Sequence, residues 1–216
     1  PAVGAASPVD GPAARTGVSE IFATIRGATG NDVSATATIS RTRLLAGGTS
    51  PNFQQLWRNI TLFDTSSLGS SAVISAATYE LYVETIANTF TEAGSVDMVV
   101  CNPASNSNIV NGDYEVANWT MTDQATALTL VGMTLNAYNL WTLNATGRGN
   151  ISLTGISKFG TVISCDFSNT SPTWGNSQDA HAANNSADGT NKPRLIVTYT
   201  LPGGGGAFKA LLGVGL

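Results

Sequence analysis

Short segments in which apolar and polar residues alternate run through most of this chain. From residue 33 to residue 39, Val, Ala and Ile alternate with Ser and Thr, and the run 77–84 sets Ala, Tyr, Leu and Val against a second face that carries Glu80 and Glu84. A period of two residues is typical of a strand with one buried face. We therefore expect two half-buried strands here, with both glutamates on the exposed side.

Comparable patterns predict strands over 18–25, 57–63, 96–101, 126–131, 138–143, 150–156, 159–167 and 194–200. No segment of helical length carries an apolar stripe with a 3.6-residue period. About ten short strands separated by turn-rich breaks predict an all-β protein, built as an antiparallel β-sandwich with a jelly-roll-like arrangement. Trp57 and Trp141 lie within strand patterns and are predicted to belong to its core.

The predicted sandwich domain spans residues 18–201, with a different kind of sequence on each side. Residues 1–17 have three prolines and no periodicity, and we expect an extended N-terminal arm. Residues 202–216 begin with Pro202 and four glycines, which predict a flexible hinge, and then continue as a short apolar peptide. We predict that this peptide is a docking tail for a partner, through Phe208, Leu211, Leu212 and Leu216. The polar segment 170–192 is predicted to be a long loop.

The composition narrows the class of protein. Only 11% of residues are charged, and the net charge is −4, without a cluster of basic residues. Nucleic-acid-binding surfaces concentrate Lys and Arg, so we expect no nucleic-acid partner. No apolar run is long enough to cross a bilayer, so we expect no membrane span. Cys101 and Cys165 both lie within strand patterns, which favours two buried free thiols over a disulfide.

Candidate catalytic groups do not form a recognisable motif. His181 is the only histidine, and the segment around it lacks the Gly-x-Ser-x-Gly pattern of a serine hydrolase, so we expect a solvated loop residue. The acidic residues are scattered, and no Asp-rich loop has the ligand spacing of a calcium site. We predict no catalytic residue, no metal and no cofactor. Trp119 and Trp174 border predicted loops, and they are the candidate residues for stacking on a glycan.

Two segments carry a resemblance to a known family. The sequence Arg-Asn-Ile-Thr-Leu-Phe-Asp-Thr-Ser-Ser-Leu at 58–68, followed by a strand at 72–83, resembles the DNRLRE-type β-sandwich modules, which are similar to carbohydrate-binding modules. The segment 193–199 resembles the closing strand of that family. On physical grounds, Asp64 is expected to accept backbone N–H groups in an Asx turn, and Leu68 is expected to return to the core.

The chain also resembles virion proteins of tailed bacteriophages that contain such modules. This resemblance implies a non-enzymatic structural protein located in the virion, either a capsid decoration or a head-fibre or tail component. The implied partners are a major capsid protein, further copies of the chain and a cell-surface glycan. A first residue of Pro is typical of a chain whose initiator Met has been trimmed, which favours cytoplasmic synthesis and export within a particle. The alternatives are an extracellular carbohydrate-binding module of a wall-active protein and a glycan-cleaving enzyme.

Overall fold

Antiparallel β-strands make up most of the structure, which is a computed structural model that describes residues 9–92, 94–186, 190–203 and 207–213. Every strand pairing in this part of the chain is antiparallel, and the helices are few and short. The prediction of an antiparallel all-β protein is therefore confirmed at the level of fold class.

The strands are β1 (Asp10–Arg15), β2 (Asp32–Val33), β3 (Ile39–Ala46), β4 (Phe53–Asp64), β5 (Val73–Asn88), β6 (Ser95–Cys101), β7 (Trp119–Thr120), β8 (Leu128–Thr129), β9 (Ala137–Thr142), β10 (Ile156–Ile163), β11 (Asp179–Asn185), β12 (Arg194–Thr200) and β13 (Phe208–Gly213). The helices are α1 (Phe22–Gly27), α2 (Ala145–Gly149) and α3 (Ser164–Ser168). Single 3-10 turns occupy Ser66–Leu68, Asn111–Tyr114, Val116–Asn118 and Leu130–Gly132.

Two long strands organise the hydrogen-bonded network, whose order is β13-β12-β5-β11-β3-β4-β10-β6-β7. One edge of β5 borders β12 along its first half and β11 along its second half, while β9 lies on the opposite edge. One edge of β4 borders β3 and then β10, while β1 lies on the opposite edge. Each long strand therefore pairs with one strand along the first half of this edge and with a different strand along the second half.

The core lies between β5 and β9 on one side and β4 and β6 on the other. The ring of Tyr79 meets Phe63 edge-on at 6.0 Å between centroids and meets Trp141 at 5.6 Å. The Tyr79 hydroxyl lies 2.9 Å from Thr61 Oγ1, and the Trp141 indole donates to the carbonyl of Val96 at 3.2 Å. Burial raises the pKa of the Tyr79 phenol well above its ordinary value. Aromatic side chains thus fill the space between the strands while their polar atoms are paired.

The connection from β4 to β5 follows the sequence prediction. Asp64 Oδ1 accepts a hydrogen bond from the backbone N–H of Ser66 at 3.0 Å and another from the Ser66 hydroxyl at 2.6 Å. Leu68 is buried at the end of the short 3-10 turn that follows. The predicted Asx turn is confirmed, and so is the return of Leu68 to the core.

The expected N-terminal arm is, over Asp10–Arg15, a buried strand on β4. Ala13 and Ala14 are fully buried, because small side chains allow β1 to lie close to its neighbours. Gly11 has φ +151°, and a Cβ there would lie 2.1 Å from the carbonyl oxygen of Ser34, so this position requires glycine. The remainder of the predicted arm that precedes Val9 lies outside the described residues.

Several further segments differ from the sequence prediction. The predicted strand 126–131 contains only the two-residue β8 and part of a 3-10 turn, only Ile156 of the predicted strand 150–156 lies in a strand, and the predicted strand 159–167 ends in helix α3. The predicted strand 18–25 contains helix α1 instead, and the alternating run 33–39 contributes only the ends of β2 and β3. The predicted loop 170–192 contains β11, which lies between β5 and β3 near the middle of the strand order. Its sequence, Asp-Ala-His-Ala-Ala-Asn-Asn, has few residues with high strand propensity, so its extended form follows from its two neighbours.

The cysteine prediction is confirmed, and the glutamate prediction is confirmed only in part. Cys101 and Cys165 are free and buried, and burial raises the pKa of the Cys101 thiol to about 12. Glu84 is half-buried, whereas Glu80 is buried on the outer side of β5, with its carboxylate 3.9 Å from the Arg194 guanidinium. The neighbouring strands, which the alternation of β5 alone does not reveal, therefore cover Glu80.

Candidate functional site

The C-terminal peptide is a strand of the domain's own sheet. β13 pairs with β12 through Tyr199 opposite Phe208, Val197 opposite Ala210 and Leu195 opposite Leu212. The expectation of a tail without a place in the core is therefore corrected for Leu212, which is 5% exposed and belongs to the core. Leu195 and Val197 on β12 are fully buried and form the inner face on which Leu212 packs.

The other predicted tail residues differ from Leu212. Phe208 is 46% exposed at the end of the strand, with its ring 5.9 Å from that of Tyr199, and Leu211 is 62% exposed on the opposite face. Leu216 lies outside the described residues. The structure thus divides the predicted tail into one residue that anchors the strand and two that are exposed.

Leu211 belongs to a wider surface to which β13, β12 and β9 contribute. Residues directly opposite each other on antiparallel strands point to the same side, so the registers place Leu211, Ile196, Arg194, Leu140 and Tyr138 on one outer face. We call these five residues the outer face. A groove of about 330 Å³ runs along it, lined in part by Tyr138, Arg194 and Leu211.

Aromatic and cationic groups give the outer face a defined shape. The Arg194 guanidinium lies 3.6 Å from the centre of the Tyr138 ring, and Tyr82 meets Tyr138 edge-on at 5.4 Å. Burial is the main cause of the raised pKa of Tyr138. Leu140 is 49% exposed beside them. The face thus combines exposed aliphatic side chains with an arginine held against an aromatic ring.

The two candidate glycan-stacking residues lie in different environments. Trp119 is 6% exposed, its indole donates to the carbonyl of Asp113 at 2.9 Å, and its ring lies against Gly160. The exposure expected at Trp119 is therefore not observed. Trp174 is half-buried, packs against the core and donates to the carbonyl of Asn52 at 2.8 Å.

The two tryptophans predicted to be core residues also differ from each other. Trp141 is buried, as predicted. Trp57 is only half-buried, because it lies on the outward side of β4, where its indole donates to Gln55 Oε1 at 2.9 Å and Arg41 lies 5.7 Å from its ring centre. The prediction for Trp57 is corrected, and one face of its ring is covered by the arginine.

His181 lies on β11 rather than in a loop, within a row of polar side chains. Asp179 accepts two hydrogen bonds from Arg43, at 2.9 and 2.7 Å, and its carboxylate lies 3.1 Å from His181 Nδ1. The pKa of Asp179 is lowered: burial acts to raise it, and the contacts with His181 and Arg43 outweigh that effect.

The order of contacts from Asp179 through His181 to Thr85 is that of a hydrolase triad, with His181 Nε2 3.4 Å from Thr85 Oγ1. The surroundings differ from those of a nucleophile, since Thr85 lies within the β5 ladder opposite Ala183 rather than on a strained turn. Arg43 also compensates the charge of Asp179. The arrangement is that of a cross-strand ion pair.

A buried ion pair, which the sequence did not indicate, lies between β4 and α3. Arg58 and Asp166 are fully buried and make two hydrogen bonds, at 2.7 and 2.9 Å. Arg58 also donates to the backbone carbonyls of Tyr114 and Arg26, and its guanidinium lies 4.3 Å from the Tyr114 ring centre. Burial acts to lower the pKa of Arg58, but Asp166 outweighs it, so that the pKa is raised. Because these groups are enclosed, their role is structural.

The carboxyl group of Asp97 should make stability depend on pH. Burial, with a smaller effect from Asp123, raises its pKa from 3.8 to about 6. The folded protein therefore binds a proton at Asp97 more tightly than the unfolded chain does. The stability that this protonation contributes is lost as the pH rises from 3.8 to about 6. We expect the unfolding free energy of the wild type, relative to Asp97→Asn, to fall across that range in urea titrations. A constant difference would contradict the assignment.

Within the described ranges, no three His, Cys, Asp or Glu side chains are grouped in a way that could hold a metal ion. No helix in this part of the chain is long and apolar enough to span a membrane. A scan against protein-family models matched no family, and searches of the curated proteins and of the solved structures gave no match either.

Proposed function

We propose that this chain is a non-enzymatic structural component of a virus particle, a capsid decoration or a head-fibre or tail protein, with a jelly-roll-like sandwich body. The single observation that carries the docking part of the proposal is the exposure of Phe208 and Leu211 on a strand that Leu212 anchors to the body. The virion setting is supported by the sequence resemblance alone.

The C-terminal surface suits assembly because its apolar groups are exposed yet held in place. A flexible tail must be ordered on binding, and this lowers its affinity, whereas β13 is already fixed by its pairing with β12. The neighbouring Tyr138 and Arg194 add an aromatic ring and a cation beside Leu211 on the outer face. A major capsid protein or another virion protein is the partner that we propose for it.

Replacing Phe208 and Leu211 together by Ser should release the chain from its particle without unfolding it. About half of each side chain is still exposed, so covering both on a partner contributes about 1 kcal/mol each, and the loss corresponds to roughly 30-fold weaker docking. The measurement is the copy number of the variant in purified particles, by mass spectrometry, together with its melting temperature.

Val131→Ser provides the matched control, since Val131 is 85% exposed and is not part of the C-terminal strand. It should be incorporated normally. Truncating the whole tail would be a poorer test, because it also removes the buried Leu212 and destabilises the body. Normal incorporation of the Phe208/Leu211 double variant would overturn the proposed docking role.

The second candidate is a secreted carbohydrate-binding module, favoured by the partly exposed indole rings of Trp174 and Trp57. Aromatic rings on a β surface can stack on sugars. Binding of the protein to an array of bacterial wall and surface glycans would favour this function if Trp174→Ala reduces that binding. Glycan binding of this kind would not depend on Phe208 or Leu211.

A further inference from the structure

Within the described residues, no strand pairs with the outer edge of β13, which also lies close to β4. β13 stands at one end of the strand order, and within the described residues its ladder is formed with β12 alone. Proteins usually protect such edges with charges, prolines or bulges. β13 has one charged residue, Lys209, and no proline, and its register with β12 is continuous, whereas the next pairing, of β12 with β5, contains a bulge. In the described part of the chain, the backbone N–H and C=O groups on this edge have no ladder partner, so they are available to a further strand.

We propose that β13 of a second copy of this chain pairs with it, antiparallel, about a two-fold axis at Ala210. The inference deepens the proposed function and rests on it, because it names one partner of the same C-terminal strand. Two sheets would thereby join into one continuous sheet that crosses the boundary between the subunits.

The alternation of side chains limits which registers are allowed. Phe208, Ala210 and Leu212 face inward and Lys209 and Leu211 face outward, and a continuous sheet requires inward residues to lie opposite inward residues. An axis at Ala210 meets this condition. It places Phe208 opposite Leu212 of the second copy, so that the exposed ring gains an aliphatic neighbour.

The outward residues fit the same register. Lys209 lies opposite Leu211 of the second copy, where its alkyl stem can cover the exposed leucine while the ammonium group remains in water. The two lysines are not directly opposite each other, so like charges are not paired across the new ladder. Both exposed apolar residues of β13 are thus covered by a single contact.

A second copy suits this edge better than an unrelated strand because the contact is self-complementary. In a two-fold arrangement, one interface satisfies the open edges of both subunits at once and closes the assembly. A head-to-tail contact would cover one edge with a different surface and leave another β13 edge open, which promotes uncontrolled growth.

Disulfide cross-linking tests this register directly in the full-length protein. Cysteines introduced by Ala210→Cys would lie directly opposite each other across the axis, within reach of a disulfide. The native Cys101 and Cys165 are buried, so they contribute little background. We expect mild oxidation to give a covalent dimer of Ala210→Cys at least tenfold faster than of Val131→Cys, an exposed control far from β13 in the sequence.

Charge substitutions at Leu211 distinguish this pairing from chance collisions. Leu211→Lys would face Lys209 of the second copy and should slow the cross-linking of Ala210→Cys several-fold, whereas Leu211→Glu would face the same lysine and should preserve it. Leu211 is exposed, so both substitutions are compatible with the folded subunit. Equal rates for the Lys and Glu variants, or a rate for Ala210→Cys equal to that of Val131→Cys, would overturn the inference.

These results separate the inference from the proposed function. If the Phe208/Leu211 serine variant is lost from particles while Ala210→Cys does not cross-link, the docking role stands and the self-pairing is wrong. If cross-linking follows the expected pattern while the serine variant is incorporated normally, the chain self-pairs and the proposed docking role is wrong.

Discussion

Replacing Asp166 by Asn should lower the free energy of unfolding by about 3–5 kcal/mol, because the substitution leaves the fully buried Arg58 without its counter-charge. Arg26 loses a partner as well, since its Nε lies 3.0 Å from Asp166 Oδ1. The backbone carbonyls that Arg58 also contacts are dipoles and cannot neutralise its charge. Equilibrium unfolding in urea, followed by tryptophan fluorescence, is the measurement.

Glu20→Gln is the control for this substitution, because Glu20 forms a partly exposed ion pair with Arg15 near the surface. Breaking an ion pair that water can reach costs about 1 kcal/mol or less. The contrast between the two variants therefore measures the effect of enclosing the charges. Similar decreases in the free energy of unfolding for Asp166→Asn and Glu20→Gln would show that water or another anion reaches Arg58.

Gly160→Ala should be nearly as damaging, with an expected loss of about 3 kcal/mol, at the upper end of the usual cost of overpacking. A Cβ at this position would lie 2.5 Å from the carbonyl oxygen of Asn59 and 2.5 Å from the Trp119 ring. The obstacle includes backbone on the neighbouring strand, so a rotamer change alone cannot relieve it. Thermal unfolding and the near-ultraviolet signal of the indoles would report the displacement of Trp119.

The matched control is Gly149→Ala, at the end of α2, where an added Cβ meets no atom within 4 Å. We expect its stability to stay within about 0.5 kcal/mol of the wild type. The two variants add the same methyl group, so a difference between them arises from the surroundings. Equal midpoints of thermal unfolding for Gly160→Ala and Gly149→Ala would mean that Trp119 can move aside without a loss of stability.

The sequence predicts those strands whose own residues determine their conformation. β5, β9 and β12 have β-branched or aromatic residues in alternation, and their predicted positions agree with the structure. β11 is rich in Ala and Asn and becomes extended because β3 and β5 pair with both of its edges. Such a strand is specified by partners distant in sequence, which a local pattern cannot reveal.

The candidate site shows the same limit. Alternation identifies two faces of β4, but it does not show which face other elements cover, so the pattern wrongly predicts that Trp57 belongs to the core. Trp119 is wrongly predicted to be exposed because its position beside a predicted loop does not reveal that its ring packs against Gly160. The Arg58–Asp166 pair joins residues 108 positions apart, and neither residue has a sequence signature of its own. In the C-terminal segment, Phe208 and Leu211 are exposed as predicted, whereas Leu212 is buried because it lies opposite Leu195 of β12, a partner that the local apolar pattern does not reveal.

The position of β11 has a consequence for how the chain is made. Its ion pair with β3 joins residues 136 positions apart, so the gap between β3 and β5 cannot be filled until the segment that forms β11 has been synthesised. Until then, β3 and the second half of β5 present open edges, the form of intermediate most prone to aggregation. The strand order from β3 to β5 therefore cannot be completed before β11 leaves the ribosome, and a chain truncated before residue 179 lacks the strand that joins its two halves.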